Sequence, residues 1–136
     1  MTYTRRKGSI DEFKMWAHRY ARSLFNISSW MEYLKSVSFV VGPRIHGIML
    51  GLQAGTPGLC IAHDSRTREM CETMGVPFVM AKAVAQGIKF EELRSHFVFD
   101  GAAFDARRKT LGTRLSEFLE VNGVPQSAWL QDIVHK

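Results

Sequence analysis

The chain has 136 residues, 46% of them hydrophobic, and a formal net charge of +5 at pH 7. This length and composition predict one globular domain over residues 1–136, with a single core. The apolar runs are far shorter than the roughly 20 residues of a membrane-spanning helix, and residues 1–7 lead into no signal-type apolar stretch. We therefore expect a soluble, unsecreted, cytoplasmic protein.

The positive charge is unevenly spread along the chain. Residues 1–35 carry seven Lys and Arg against three Asp and Glu, whereas residues 36–100 carry six of each. Apart from one short run at residues 5–7, the basic residues are scattered along a predicted helix. We interpret them as a solvated face, with an acidic ligand or partner as the second interpretation, and expect no nucleic-acid partner.

The cysteines and histidines give no sign of a metal centre. Cys60 and Cys71 have neither C-x-x-C spacing nor a disulfide-rich pattern, and together with the five histidines they show no zinc-site spacing. We expect two reduced, buried thiols, no bound metal and no cofactor.

Two helices are predicted before the first strand. Ser9 and Glu12 form a capping-box signal, and a second such signal at Ser29 and Glu32 predicts a short helix over residues 30–35. The first helix carries apolar residues at three- and four-residue spacings: Ile10, Phe13, Trp16, Ala17, Tyr20, Ala21, Leu24 and Phe25. We interpret its aromatic residues, with Trp30, as core packing rather than as a stacking platform for a base or sugar.

The middle of the chain alternates strands and helices. Apolar runs predict strands over residues 37–41, 58–62 and 76–79, separated by helices of which the second, over 66–74, is capped by Asp64 or Ser65 and ended by Gly75. Further helices are predicted over 90–97 and 102–121, with a last amphipathic turn around Trp129. We expect the 102–121 helix to face inward through its large apolar residues, Phe104, Leu111, Leu115, Phe118 and Leu119. The pattern indicates an α/β, Rossmann-like three-layer domain with a small parallel sheet flanked by helices.

The first candidate site follows the first strand. Parallel sheets bind ligands at the carboxyl ends of their strands, and Arg44 and His46 lie at such an end, beside a helix start that favours anions. Gly47 has no side chain to hold a ligand away from the backbone. Arg44 could grip a carboxylate or phosphate through two hydrogen bonds, while His46 could donate a proton. These residues equally fit a structural role, with Arg44 paired to a carboxylate and His46 to a loop carbonyl.

The end of the second strand gives further candidates. His63 and Asp64 follow it directly, and Asp64 could orient an imidazole or contact a ligand, although a helix cap is the more common role for this residue type. The remaining histidines, His18, His96 and His135, lie on predicted helical faces or at the terminus and are not candidates.

Residues 36–79 resemble the polysaccharide pyruvyl transferases. The resemblance rests on an apolar strand, R-x-H-G, an apolar helix, a second strand and a second helix that ends at M-G. The matching positions, in order, are Arg44, His46, Gly47, Ala54, Gly55, Pro57, Asp64 and Gly75. Arg66 stands where the family commonly has Lys, which preserves the charge but changes the donor geometry.

The resemblance implies the C-terminal, donor-binding half of a GT-B-like enzyme of exopolysaccharide or cell-surface polysaccharide biosynthesis. Such an enzyme transfers pyruvate from phosphoenolpyruvate to a saccharide as a ketal. It further implies that Arg44, His46, Gly47, His63, Asp64 and Arg66 bind substrate, and that His46 is a donor ligand or the general acid. The acceptor is a saccharide, with a membrane-associated glycolipid as one form.

Two alternatives to a pyruvyl transferase stay open. One is the nucleotide-sugar-binding half of a GT-B glycosyltransferase, and the other is a non-catalytic anion-binding module. The family's N-terminal half, which contributes the acceptor site, has no counterpart in this sequence. The basic N-terminal helix could face such a half or pair two copies in a homodimer, since a small open sheet invites pairing.

Overall fold

The computed structural model describes residues 9–135, and these fold as a three-stranded parallel sheet with helices around it. The basic run at residues 5–7 lies outside the described residues. The strands are β1 (Val40–Gly42), β2 (Gly58–Ala62) and β3 (Phe78–Met80), in the spatial order β1-β2-β3. The helices are α1 (Ile10–Tyr20), α2 (Ile27–Lys35), α3 (Ile45–Gln53), α4 (Ser65–Met74), α5 (Phe90–Ser95), α6 (Gly101–Val121) and α7 (Ala128–His135), with a 3₁₀ turn at Ala81–Val84 after β3. This architecture confirms the predicted small α/β Rossmann-like domain.

The two faces of the sheet carry separate hydrophobic clusters. On one face, α3 and α4 cover the strands, and Ile45 and Ile48 of α3 pack with Cys60 of β2 and Cys71 of α4. On the other face, Leu59 and Val79 pack with Leu93 of α5. Both thiols are free and buried, as predicted, and burial raises the pKa of Cys60 and raises that of Cys71 to about 12. The prediction of helices on both sides of the sheet is confirmed.

The strand boundaries differ from the predicted ones for a physical reason. β1 begins at Val40 rather than at residue 37, because its partner β2 begins at Gly58 and the preceding Pro57 has no N–H to donate. The carbonyl of Pro57 accepts a hydrogen bond from the Val40 amide at 2.9 Å, which starts the ladder. β3 starts at Phe78, two residues later than predicted, and its pairing with β2 begins where Phe78 lies opposite Cys60.

The first two helices confirm one prediction and contradict two others. The capping box of Ser9 and Glu12 is present in α1, as predicted. The start of α2 was predicted wrongly: Asn26, not Ser29, is its N-cap and accepts a hydrogen bond from the Ser29 amide at 2.7 Å. The interpretation of the α1 aromatic residues as core was also wrong, since no residue of α1 is buried. Trp30 of α2 is half-buried against α3.

The C-terminal helices form a layer of their own. Gly101–Val121 closely matches the predicted long helix, and α7 packs across it with Leu130 buried. Leu115 and Phe118, which we expected to face inward, are largely exposed. The Arg107 guanidinium of α6 donates a hydrogen bond to the Glu72 carbonyl in α4, which ties this layer to the sheet domain.

Candidate functional site

The junction after β1 changes from extended to helical backbone at a single residue. Arg44 is the N-cap of α3, with φ −98° and ψ 105°, and the helix begins at Ile45. Ile45 and Ile48 point into the core, which anchors the first turn and leaves His46 on the outer face. The extended segment therefore ends at Arg44, and His46 projects from the first helical turn. Both side chains are exposed.

Neither Arg44 nor His46 is held in place by a side-chain contact in the part of the chain that the structure describes. Within residues 9–135, the Arg44 guanidinium and the His46 imidazole have no hydrogen-bond or ion-pair partner, so the structural roles considered for them are not found there. Arg44 also gives α3 no side-chain cap. The N–H groups and positive dipole end of α3 thus lie beside an unpaired guanidinium, an arrangement suited to a bound anion.

Gly47 lies where two helices meet. A Cβ added at this position would lie 3.5 Å from the Trp30 ring of α2, which directs this face of the residue towards α2. The Gly47 amide donates to the Arg44 carbonyl at 3.1 Å and so closes the first turn of α3. Since 3.5 Å is an ordinary van der Waals distance, a Cβ would also fit between α2 and the helix that carries Arg44 and His46.

The end of β2 places a contact between His63 and Asp64 at the start of α4. The Asp64 carboxylate caps this helix by accepting a hydrogen bond from the Thr67 amide at 2.7 Å, as predicted. Its second oxygen lies 3.3 Å from His63 Nε2. Hydrogen bonds from Thr67, and to a lesser degree the charges of His63 and Arg66, hold the pKa of Asp64 below its usual value. The lowered pKa favours the ionised form of the Asp64 carboxylate.

The sheet register brings the two junctions to one edge. Gly42 pairs with Cys60, so Arg44, two residues beyond Gly42, reaches the level of Ala62 at the end of β2. His63, Asp64 and Arg66 follow directly. We call this surface, formed by the residues after β1, β2 and β3, the carboxyl edge.

Lys82 also belongs to the carboxyl edge, although it was not among the site residues predicted from the sequence. It is exposed in the 3₁₀ turn that begins directly after β3. The predicted strand ended at Val79, which put Lys82 in an unassigned loop. A sequence pattern could have identified it, because each of the three strands is followed within four residues by an Arg or Lys. The carboxyl edge therefore carries Arg44, Arg66 and Lys82 together with two histidines and one carboxylate.

Two hollows of the domain lie away from the carboxyl edge. One of about 470 Å³ is lined by apolar side chains of α3, α4, α6 and α7, including Met49, Phe104 and Leu130. Another of about 500 Å³ adjoins it between α6 and α7, beside Arg108 and Trp129. The carboxyl edge is the candidate site, because it brings basic side chains to the start of α3, whereas these hollows offer mainly shape.

Metal binding and membrane insertion find no support in the described residues. No group of three or more His, Cys, Asp or Glu side chains in residues 9–135 could hold a metal ion. Across the same part of the chain, none of the helices combines the length and the apolar character needed to cross a bilayer.

Comparison with known proteins supports the resemblance seen in the sequence. The family model of polysaccharide pyruvyl transferase matches residues 4–65, which are 62 of the 136 residues. This segment begins before α1, contains the Arg44–His46 junction and ends at Ser65, so Arg66 and Gly75 fall beyond it. No curated protein and no solved structure matches the chain. The resemblance to the polysaccharide pyruvyl transferase family is confirmed, on a segment that contains the candidate site.

Proposed function

We propose that this chain is the donor-binding half of a polysaccharide pyruvyl transferase and that its carboxyl edge binds phosphoenolpyruvate. One observation carries the proposal. Within the segment that matches the family, an exposed arginine without a protein partner in the described chain stands at the uncapped start of α3. Such an arrangement suits a carboxylate or phosphate, and phosphoenolpyruvate carries both.

The charges of the carboxyl edge suit a doubly acidic ligand. Arg44 can bind one acidic group bidentately, while the N–H groups at the start of α3 approach the same group. Neighbouring strands of a sheet are about 4.8 Å apart, so Lys82, two strands away, can approach a second acidic group through its long side chain. Asp64 keeps its negative charge, and its two carboxylate oxygens are directed at the Thr67 amide and at His63.

The reaction assigned to this site needs one proton at carbon and one leaving phosphate. In the proposed mechanism, the methylene carbon of phosphoenolpyruvate is protonated while a sugar hydroxyl attacks the adjacent enol carbon, giving a phosphate-bearing ketal centre. The proton that this hydroxyl loses replaces the one delivered to carbon. A second hydroxyl of the sugar then displaces phosphate and closes the cyclic ketal, and its proton leaves with the phosphate. His46 serves either as the general acid of the first step or as a ligand of the donor, whereas Arg44 stabilises negative charge.

The open shape of the site fits half of an enzyme. Arg44 and His46 are exposed on a surface rather than enclosed in a cleft, and chemistry of this kind normally proceeds in a site from which water is excluded. We propose that a second half, arranged as in GT-B enzymes, supplies the saccharide site and the opposite wall. Cytoplasmic location and a role in exopolysaccharide assembly belong to the same proposal.

A titration of the full chain with three ligands tests the function. Phosphoenolpyruvate, a nucleoside diphosphate sugar and inorganic phosphate are added separately while NMR signals of Arg44, His46 and Lys82 are followed. We expect phosphoenolpyruvate to bind most tightly and to shift all three sets of signals, because it alone presents a carboxylate and a phosphate on a three-carbon unit.

Three other results of the titration would contradict the proposal, and each would indicate a different function or binding site. Tighter binding of the nucleoside diphosphate sugar would indicate a glycosyltransferase half. Equal, weak binding of all three ligands would indicate a general anion-binding module. Shifts confined to residues away from the carboxyl edge would place the ligand elsewhere on the domain.

A further inference from the structure

Helix α1 carries a large apolar face that the described chain leaves uncovered. Ile10 is 72% exposed, Phe13 66%, Trp16 56% and Tyr20 57%. Their aromatic contacts are with one another along the helix, with Phe13 and Trp16 6.3 Å apart and Trp16 and Tyr20 6.0 Å apart. Contiguous apolar surface of this kind marks an interaction site in a soluble protein.

The length of α1 implies that something covers this face. The helix has eleven residues and a complete capping box, but no buried residue. Isolated helices shorter than about 12–15 residues are marginal in water, because packing of an apolar face supplies most helical stability in proteins. A partner for α1 is therefore part of what stabilises it.

The spacing of the apolar residues fits helix-to-helix packing. Ile10, Phe13, Ala17 and Tyr20 recur at intervals of three, four and three residues, which is the a/d pattern of a coiled-coil seam. If two copies of α1 lie antiparallel, the symmetry axis passes near residue 15. Phe13 then faces the small Ala17 of the other copy, and Ile10 faces Tyr20. Large residues meet small ones at the centre of this pair, so two helices can approach closely.

The charges of α1 favour a second copy over a lipid surface. Asp11 and Glu12 lie in the first turn and His18 and Arg19 in the last. With Lys14, the formal charge of Ile10–Tyr20 is zero when histidine is neutral, because the other basic residues of the N-terminal segment lie outside the helix, at 5–7, 22 and 35. The predicted basic character of this helix is therefore not found within it, and it lacks the basic polar face of a membrane-surface helix. In an antiparallel pair, the acidic end of each copy lies beside the basic end of the other and the helix dipoles oppose.

We propose that α1 is a homodimerisation helix, which pairs antiparallel with α1 of a second copy through Ile10, Phe13, Ala17 and Tyr20. This pairing is independent of the anion site and places two carboxyl edges in one assembly. The partner is thus a second copy of this chain.

Sedimentation equilibrium of the full chain tests the proposal. We expect wild-type protein at micromolar concentration to have twice the monomer mass of 15.5 kDa. Phe13→Glu should be monomeric, with association weakened at least ~10-fold, because it places a charge in the centre of the seam. The matched control is Phe118→Glu in α6, where the phenylalanine is 62% exposed, and this variant should remain dimeric.

Three results would overturn the proposal. A monomeric wild type would show that α1 has another partner, and flotation of that monomer with vesicles of anionic phospholipid would identify it as a lipid surface. A dimeric Phe13→Glu variant would place the interface elsewhere. Loss of dimer in Phe118→Glu together with Phe13→Glu would show a general sensitivity to surface charge. Far-UV circular dichroism checks that each variant stays folded.

Cross-linking tests the direction of the pair. Ile10→Cys and Tyr20→Cys should form a disulfide when the two variants are mixed and oxidised, and neither should cross-link with itself, since identical positions lie about 15 Å apart along an antiparallel pair. Cys60 and Cys71 are buried and do not compete. Self-cross-linking of either variant would indicate a parallel pair and contradict the proposed arrangement.

Discussion

At the scale of single residues, Thr56 joins the helix that precedes the sheet to the layer that carries the candidate site. It is 4% exposed, and its hydroxyl donates a hydrogen bond of 2.7 Å to the Leu34 carbonyl at the end of α2. The same α2 packs Trp30 against Gly47 at the start of α3. A hydroxyl between α3 and β2 thereby fixes α2 against the Arg44–His46 junction.

Thr56→Val should lower the free energy of unfolding by about 1–2 kcal/mol, because it keeps the shape of the side chain but leaves a buried carbonyl with a poorer partner. Urea denaturation measures the change. Thr73→Val is the matched control, since Thr73 is an exposed threonine of α4 and its replacement should change stability by less than about 0.5 kcal/mol. Equal effects of the two substitutions would show that the hydrogen bond contributes nothing of its own.

Some residue roles were readable from the sequence and others were not. Asp64 was predicted as a helix cap because an acidic residue between a strand and a helix satisfies free N–H groups, and the structure confirms it. Lys82 was missed because its importance depends on the end of β3, which the pairing with β2 sets. Sequence periodicity carries no information about such pairing.

At the scale of elements, the contact between α6 and α7 depends on a missing side chain. A Cβ at Gly112 would lie 2.9 Å from Ile133 Cγ2, which is closer than such atoms approach. Leu130 of α7 is buried beside it. Gly112 therefore sets the distance at which α7 packs on α6.

Gly112→Ala should destabilise the protein by about 1–3 kcal/mol, because overpacking the contact with Ile133 outweighs the gain in helix propensity. Gly101→Ala is the control in the same helix, since a Cβ there meets nothing within 4 Å. It should change stability by about 1 kcal/mol or less. Thermal unfolding followed by circular dichroism compares the two variants. A stabilised Gly112→Ala would contradict the packing derived for α7.

The helices show where periodicity succeeds and where it fails. The pattern of α1 correctly predicted a helix with an apolar face, but we wrongly assigned that face to the core. The helical spacing of apolar residues indicates that one face of the helix will be buried. It does not indicate whether that face packs against the same chain or against a partner. Leu115 and Phe118 of α6 show the same error, since both are largely exposed.

At the scale of the whole molecule, the domain combines a covered sheet with two open surfaces. Hydrophobic clusters cover both faces of the three-stranded sheet. The carboxyl edge and the aromatic face of α1 are exposed. The sequence predicted the fold class and the position of Arg44 and His46, because strand ends in parallel sheets fix where such residues lie. The exposed α1 face was not predicted, because burial depends on contacts between distant segments.

The affinity of the full chain for phosphoenolpyruvate, measured by isothermal titration calorimetry before and after Arg44→Ala, tests the central claim most directly. We expect at least ~10-fold weaker binding in the variant, because charged hydrogen bonds contribute about 1.5–3 kcal/mol. Arg94→Ala in α5, which removes an exposed arginine outside the carboxyl edge, should leave the affinity unchanged. Equal affinity of wild type and Arg44→Ala, or equal losses in both variants, would contradict a donor site at the carboxyl edge.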